Sequence, residues 1–94
     1  MSEWHYAHAE KEEQFAHLQY FSMVKKQDGR EIEFVIEVKE YVESADPAMK
    51  FFATADKQTN QKTMPFTPCG WGNTLISALS ECMKAVRRFP YEGA

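Results

Sequence analysis

Apolar and polar residues alternate over two runs in the first half of the chain, and the runs meet at a turn. Tyr20 to Lys26 and Arg30 to Glu43 flank Gln27-Asp28-Gly29-Arg30, where Asp-Gly tolerates the positive φ values of a two-residue hairpin turn. The register can be checked against the pattern. Pairing Gln27 with Arg30 sets Met23 opposite Phe34 and Phe21 opposite Ile36, so apolar side chains of both strands fall on one face. On the second strand Ile32, Phe34, Ile36 and Val38 point inward, while Glu31, Glu33, Glu37 and Lys39 point outward. A Ser44-Ala45-Asp46-Pro47 turn then leads to a third strand, Met49 to Ala55. Its Met49, Phe51, Ala53 and Ala55 share one face, and Lys50, Phe52 and Thr54 share the other.

The spacing changes at both ends of the chain. Over Ser2 to Leu18, Trp4, Ala7, Phe15 and Leu18 recur at helical intervals, which predicts an N-terminal helix with Ser2 as its cap. Near the other end Leu75, Ile76, Leu79, Cys82, Met83, Val86 and Phe89 recur every three or four residues. They predict a helix that starts at Asn73 or Thr74 and stops before Pro90, with Lys84, Arg87 and Arg88 toward the end that the helix dipole favours for cations. Between the third strand and this helix, Asp56 to Gly72 holds a polar stretch, then Pro65, Pro68, Gly70 and Gly72 with Phe66 and Trp71 among them, and reads as a structured loop. The element order is α-β-β-β-α. It predicts a two-layer α+β sandwich in which a three-stranded antiparallel sheet packs against helices.

That order resembles the double-stranded-RNA-binding-domain-like fold, which also underlies the partial domain of HicB-type antitoxins. The local likeness lies in Gly70-Trp71-Gly72-Asn73-Thr74-Leu75-Ile76-Ser77-Ala78-Leu79, which is similar to the glycine-rich approach, small polar cap and alanine of both families. Gly72-Asn73-Thr74 would stand for the Gly-Asp-Thr turn of the HicB-like pattern and Ala78-Leu79 for its Ala-Leu. The resemblance implies the fold and an antitoxin-like role; a phage-type inhibitor is a further alternative that genomic neighbours would decide. Leu75 and Ile76 occupy the place where the RNA-binding family carries phosphate-gripping lysines.

Composition narrows the class. A chain of 94 residues that is 44% hydrophobic and 14% aromatic has enough apolar material for a folded core but only enough length for one domain, residues 1–94. No run approaches the roughly 18 apolar residues of a spanning helix and no basic-then-apolar leader opens the chain, so a soluble cytoplasmic protein without a membrane partner is expected. Cys69 and Cys82 read as reduced thiols. The net charge of -3 is unevenly divided. Residues 31 to 43 carry five Glu against one Lys, and the first eighteen carry four Glu against one Lys, so the rest is net positive. That division argues against coating a nucleic acid and points to a basic protein surface as a complement.

Candidate chemistry is sparse. His8-Ala9-Glu10 and Pro68-Cys69 are pieces of the zinc-deaminase signature, but Gly72 stands where the second thiolate belongs. His5, His8 and Glu12 are spaced to share a helix face that could bind a divalent metal, although no fourth ligand accompanies them. His17 and Glu13 read as a surface pair. Cys69 has no adjacent His or Lys to lower its pKa and reads as an idle thiol. Gly70 and Gly72 lack the Lys-Ser/Thr ending of a phosphate-binding loop. Neither a catalytic set, nor a metal site, nor a cofactor is expected.

Two surfaces remain. Lys25, Lys26 and Arg30 at the hairpin tip, with Lys50 on a neighbouring strand, could follow a phosphate backbone, although tip lysines also serve to keep a hairpin soluble. Met64, Phe66 and Trp71 in the loop, together with Val35, Tyr41 and Phe52 on the outer sheet face, compose an apolar surface of the kind that anchors protein interfaces. The leading expectation is a noncatalytic protein-binding domain that forms a homodimer through the sheet or its edge. The alternative is an RNA or single-stranded nucleic-acid binder that uses the basic tip.

Overall fold

The computed structural model describes residues 16–41 and 49–93. Within them the elements are β1 (Ala16–Gln27), β2 (Arg30–Tyr41), β3 (Phe51–Ala55), β4 (Cys69–Gly72) and α1 (Leu75–Arg88). All strand pairs are antiparallel, and the sheet runs in the order β1-β2-β3-β4. The fold is thus α+β in two layers, with four strands where three were expected. Among the described residues there is one helix, and no helix is long and apolar enough to cross a membrane.

The hairpin has the register that its alternation demands. Gln27 pairs with Arg30, Met23 with Phe34 and Phe21 with Ile36. Asp28 (φ 51°) and Gly29 (φ 75°) turn the chain, the two positive φ values that match the right-handed twist of the flanking strands. β3 lies against only one half of β2, from Ile36 opposite Ala55 to Glu40 opposite Phe51. The Asp56 carboxylate ends that ladder by accepting the Val35 N–H at 2.9 Å. From Arg30 to Phe34 the hairpin therefore extends past β3 as a two-stranded ribbon.

The fourth strand corrects the reading of Asp56 to Gly72 as loop throughout. Cys69–Gly72 pairs with β3, Trp71 opposite Phe52 and Gly70 opposite Ala53. The two glycines face the helix, which is why no hydrophobic alternation announces this strand. A Cβ on Gly70 would sit 2.5 Å from Glu81 Cβ and 2.8 Å from the Ala78 carbonyl oxygen, and one on Gly72 would meet the Ala78 nitrogen at 2.6 Å. Backbone-to-backbone contact of helix on strand needs the missing side chains.

Helix α1 is capped as its sequence suggests. The Ser77 N–H donates to Thr74 Oγ1 at 3.1 Å and the Thr74 N–H donates to Ser77 Oγ at 3.2 Å, a reciprocal box that satisfies two otherwise open amides. Ala78, Cys82 and Val86 are fully buried on its inner stripe, with Leu75, Leu79 and Met83 flanking. They close on Ile32, Phe34, Ile36 and Val38 of β2 and on Phe51, Ala53 and Ala55 of β3.

The rest of the 56–68 connection is folded. Thr59 and Phe66 bridge by two backbone hydrogen bonds of 2.8 and 3.0 Å, and Asn60 adopts a positive φ of 55°. The Asn60 N–H reaches the Pro90 carbonyl at 2.8 Å, and the Glu92 N–H donates to Gln61 Oε1 at 2.7 Å, so this lobe is tied to the C-terminal segment. Of the expected N-terminal helix, Ala16, His17 and Leu18 belong instead to β1, where the long ladder to β2 outweighs the helical spacing. Its other residues and the Ser44 to Pro47 turn lie outside the described residues.

Candidate interaction surface

Strand parity sorts the side chains into two faces. Helix α1 covers the inner one, and among the described residues no element packs on the outer one. The outer face carries Leu18, Tyr20, Ser22, Val24 and Lys26 from β1, Glu31, Glu33, Val35, Glu37, Lys39 and Tyr41 from β2, Phe52 and Thr54 from β3, and Cys69 and Trp71 from β4. Leu18, Lys39, Phe52 and Trp71 form one continuous row across all four strands.

Three of the expected interface residues meet at one end of this face. Trp71 lies 4.5 Å from Phe52, centroid to centroid, and stacks on Tyr41 at 6.2 Å with 22° between the ring planes. Trp71 is still 43% exposed, so the stack orders the indole without hiding it. Val35, also expected, borders a shallow depression of about 200 Å³ with Tyr20, Glu37, Thr54, Ala55 and Asp56. Sequence reasoning missed Leu18 and Val24 and named Tyr20 only as a stacking aromatic for the nucleic-acid alternative; the three are 42%, 52% and 61% exposed on the same face. Their signal was the alternation of the first strand itself: if Phe21 and Met23 point inward, these three point out.

Polar contacts hold the middle of the face. The Tyr20 hydroxyl donates to Glu37 at 3.1 Å, and that carboxylate raises the phenol's pKa first through the hydrogen bond and then through its charge. Ser22 donates to Glu33 at 2.6 Å, and Lys39 lies 3.8 Å from Glu37.

The loop residues lie elsewhere. Phe66 packs edge-on against Phe89 at 5.6 Å and belongs to the lobe at the C-terminal segment. Met64 is 74% exposed on that lobe, away from the aromatic stack. The expected surface thus divides into an outer-face part and a separate exposed methionine.

The basic candidates are dispersed too. Lys25 has inner-face parity, and its ammonium donates to the carbonyls of Val86 and Phe89 at 2.9 and 2.8 Å, where it closes the end of α1. Burial pushes its pKa below the usual lysine range. Lys26 and Arg30 remain exposed at the tip. Lys50 sits beside Tyr41, at the far end of β2, about 35 Å from the tip at the usual strand rise. It lies 3.7 Å from Glu40, which also approaches His17 at 3.8 Å. Glu40 has inner-face parity, unlike Glu31, Glu33 and Glu37.

The thiols differ in kind. Cys69 is exposed on the outer face. Cys82 is buried, directs its thiol toward the Pro68 carbonyl at 3.5 Å and has its pKa pushed up to about 12 by burial and then by Cys69. His5, His8, Glu10, Glu12 and Glu13 lie outside the described residues. Among the described residues no group of three metal-ligating side chains forms. Compared with protein-family models, with curated proteins and with solved structures, the chain gives no match.

Proposed function

We propose that this chain is a noncatalytic protein-binding domain whose contact surface is the outer face of the sheet. The observation that carries the reading is the Tyr41-Trp71-Phe52 stack, three aromatic side chains preordered on a face that no described element covers. Rigid aromatics give large contact area for little conformational entropy, and Trp and Tyr dominate the energetic centres of protein interfaces. Val35, Leu18, Tyr20 and Val24 extend the apolar surface, and Glu31, Glu33 and Glu37 supply an acidic margin that suits a basic partner. Cytoplasmic residence and an antitoxin-like or inhibitor role belong to the same proposal, since an inhibitor acts through just such a face. The dispersal of Lys25, Lys26, Arg30 and Lys50 gives the nucleic-acid alternative no common patch.

The test is capture with tagged bait. A protein retained by the wild-type chain is expected to be lost with Phe52→Ala/Trp71→Ala, by about 30-fold or more in affinity if the pair supplies about 2 kcal/mol. The same proteins retained by both baits at the same strength would exclude this face.

A further inference from the structure

We propose that two copies of this chain pair antiparallel along β1, about a two-fold axis at Ser22, to form one continuous eight-stranded sheet. The inference rests on the outer-face reading, because the joined sheet would carry that face across both copies. It begins with the direction of the backbone groups. Val35 and Tyr41 turn their N–H groups toward β3, donating to Asp56 and Lys50, so the even-numbered residues of β2 bond to β1. By the register, the odd residues of β1 answer them. The N–H and C=O groups of Leu18, Tyr20, Ser22, Val24 and Lys26 therefore point out of the sheet along the longest edge that no other described strand pairs with.

Among the described residues that edge has few of the usual protections beyond the exposed Lys26 near its end. The β1–β2 register runs without a bulge from Ala16 to Gln27, and no proline interrupts it. An inward-pointing lysine commonly blocks strand addition, but the ammonium of Lys25 is committed to the end of α1. The other edges are less receptive. β4 offers four residues, and the open half of β2 is closed at one end by Asp56 and bordered by Arg30 and Lys57.

The occupant follows from the sequence of the strand, which is a near-palindrome in chemical character about Ser22. An antiparallel copy centred there sets Tyr20 against Val24 and Ser22 against itself on the outer face, and Phe21 against Met23 on the inner face. The four apolar side chains nearest the axis pair with one another, Tyr20 with Val24 and Phe21 with Met23, and Phe21 and Met23 are already partly buried at the margin of the core. Charge agrees. Lys25 and Lys26 meet Gln19 and Leu18, so no like charges oppose. Lys26 also comes within roughly 12 Å, Cα to Cα, of Glu37 in the other copy by standard sheet spacings, a span that the two side chains bridge. Shifting the axis to Phe21 would instead place Lys25 against His17 and Tyr20 against Ser22. The half-exposed Leu18, Tyr20 and Val24 then cease to be an unprotected row on an edge strand.

Sedimentation velocity over a concentration series tests the pairing. The wild-type chain is expected to pass from monomer to dimer, and Ser22→Pro to remain monomeric with an unchanged circular dichroism spectrum. The Ser22 N–H points away from β2, so proline removes a donor from the new edge without removing one from the existing ladder. A wild-type chain that stays monomeric at millimolar concentration, or a folded Ser22→Pro variant that dimerises like wild type, overturns the proposal. Cross-linking reads the register without relying on proline. In a Cys69→Ser background, Ser22→Cys is expected to oxidise to a covalent dimer at least about tenfold faster than Leu18→Cys, because paired Cα atoms about 5.5 Å apart suit a disulfide. Equal rates overturn it. Phe52→Ala/Trp71→Ala separates the two claims. Dimerisation retained in that variant supports the edge, whether or not partner capture is lost. Dimerisation lost in it but kept in Ser22→Pro would place the contact on the face and overturn the edge.

Discussion

At the scale of single residues, small and buried groups decide the packing. Gly70 and Gly72 let α1 rest on the backbone of β4, and any Cβ there meets backbone atoms that cannot yield. Gly70→Ala is expected to cost about 2 kcal/mol or more, read as a lower urea midpoint, while alanine at the exposed Met64 should stay within about 0.5 kcal/mol. Cys82 gives a pH signature. Its thiol keeps its proton to about pH 12 in the fold against an ordinary thiol value of 9.0, so the unfolded chain releases that proton first as pH rises. Stability from this group is therefore complete below pH 9 and declines through the interval up to about 12. A Cys82→Ala variant should lack that component of the slope, whatever it loses in packing. A thiol reagent should modify Cys69 alone in the native state and both cysteines after unfolding. The buried half of this pair was legible from the helical spacing of Cys82; the exposure of Cys69 was not, because its strand was unseen.

At the scale of elements, the hairpin was legible and its neighbours less so. Alternation and Asp28-Gly29 each specify the β1–β2 register, and they agree. β4 was hidden because its inward positions are glycines, so a sheet strand presents the composition of a loop. Leu18 fits both a helical stripe and a strand, and spacing alone could not choose. Lys25 shows a different limit: charge suggested a soluble tip, while parity already placed it inward with Phe21 and Met23. It joins β1 to the last turn of α1. Lys25→Met is expected to destabilise the fold by about 1–3 kcal/mol through the two open helix carbonyls, and Lys26→Met to change it by less than about 0.5 kcal/mol. Equal effects in urea titrations would contradict this division of labour between adjacent lysines.

At the scale of the whole molecule, α1 closes one face of the sheet, and among the described residues no element closes the other. The inner face buries Phe34, Ile36 and Val38 under α1, whereas the outer face leaves a stacked aromatic cluster, a row of β1 apolar side chains and three glutamates in contact with solvent. Tyr41 and Phe52 were legible as outward residues and Trp71 only as a loop aromatic, and their convergence needed β4, which carries Trp71 beside Phe52. Met64 and Phe66 fell away from them because the Thr59–Phe66 bridge folds that segment toward Phe89 and Pro90. The most direct measurement of the central claim is the indole N–H spectrum of the nitrogen-labelled chain as a captured protein partner is added. Of its two tryptophans, the Trp71 signal, identified by its loss in Trp71→Phe, is expected to shift or broaden with partner concentration. An unmoved Trp71 signal, with shifts confined to the Lys26 and Arg30 amides at the hairpin tip, would contradict the outer face as the binding surface.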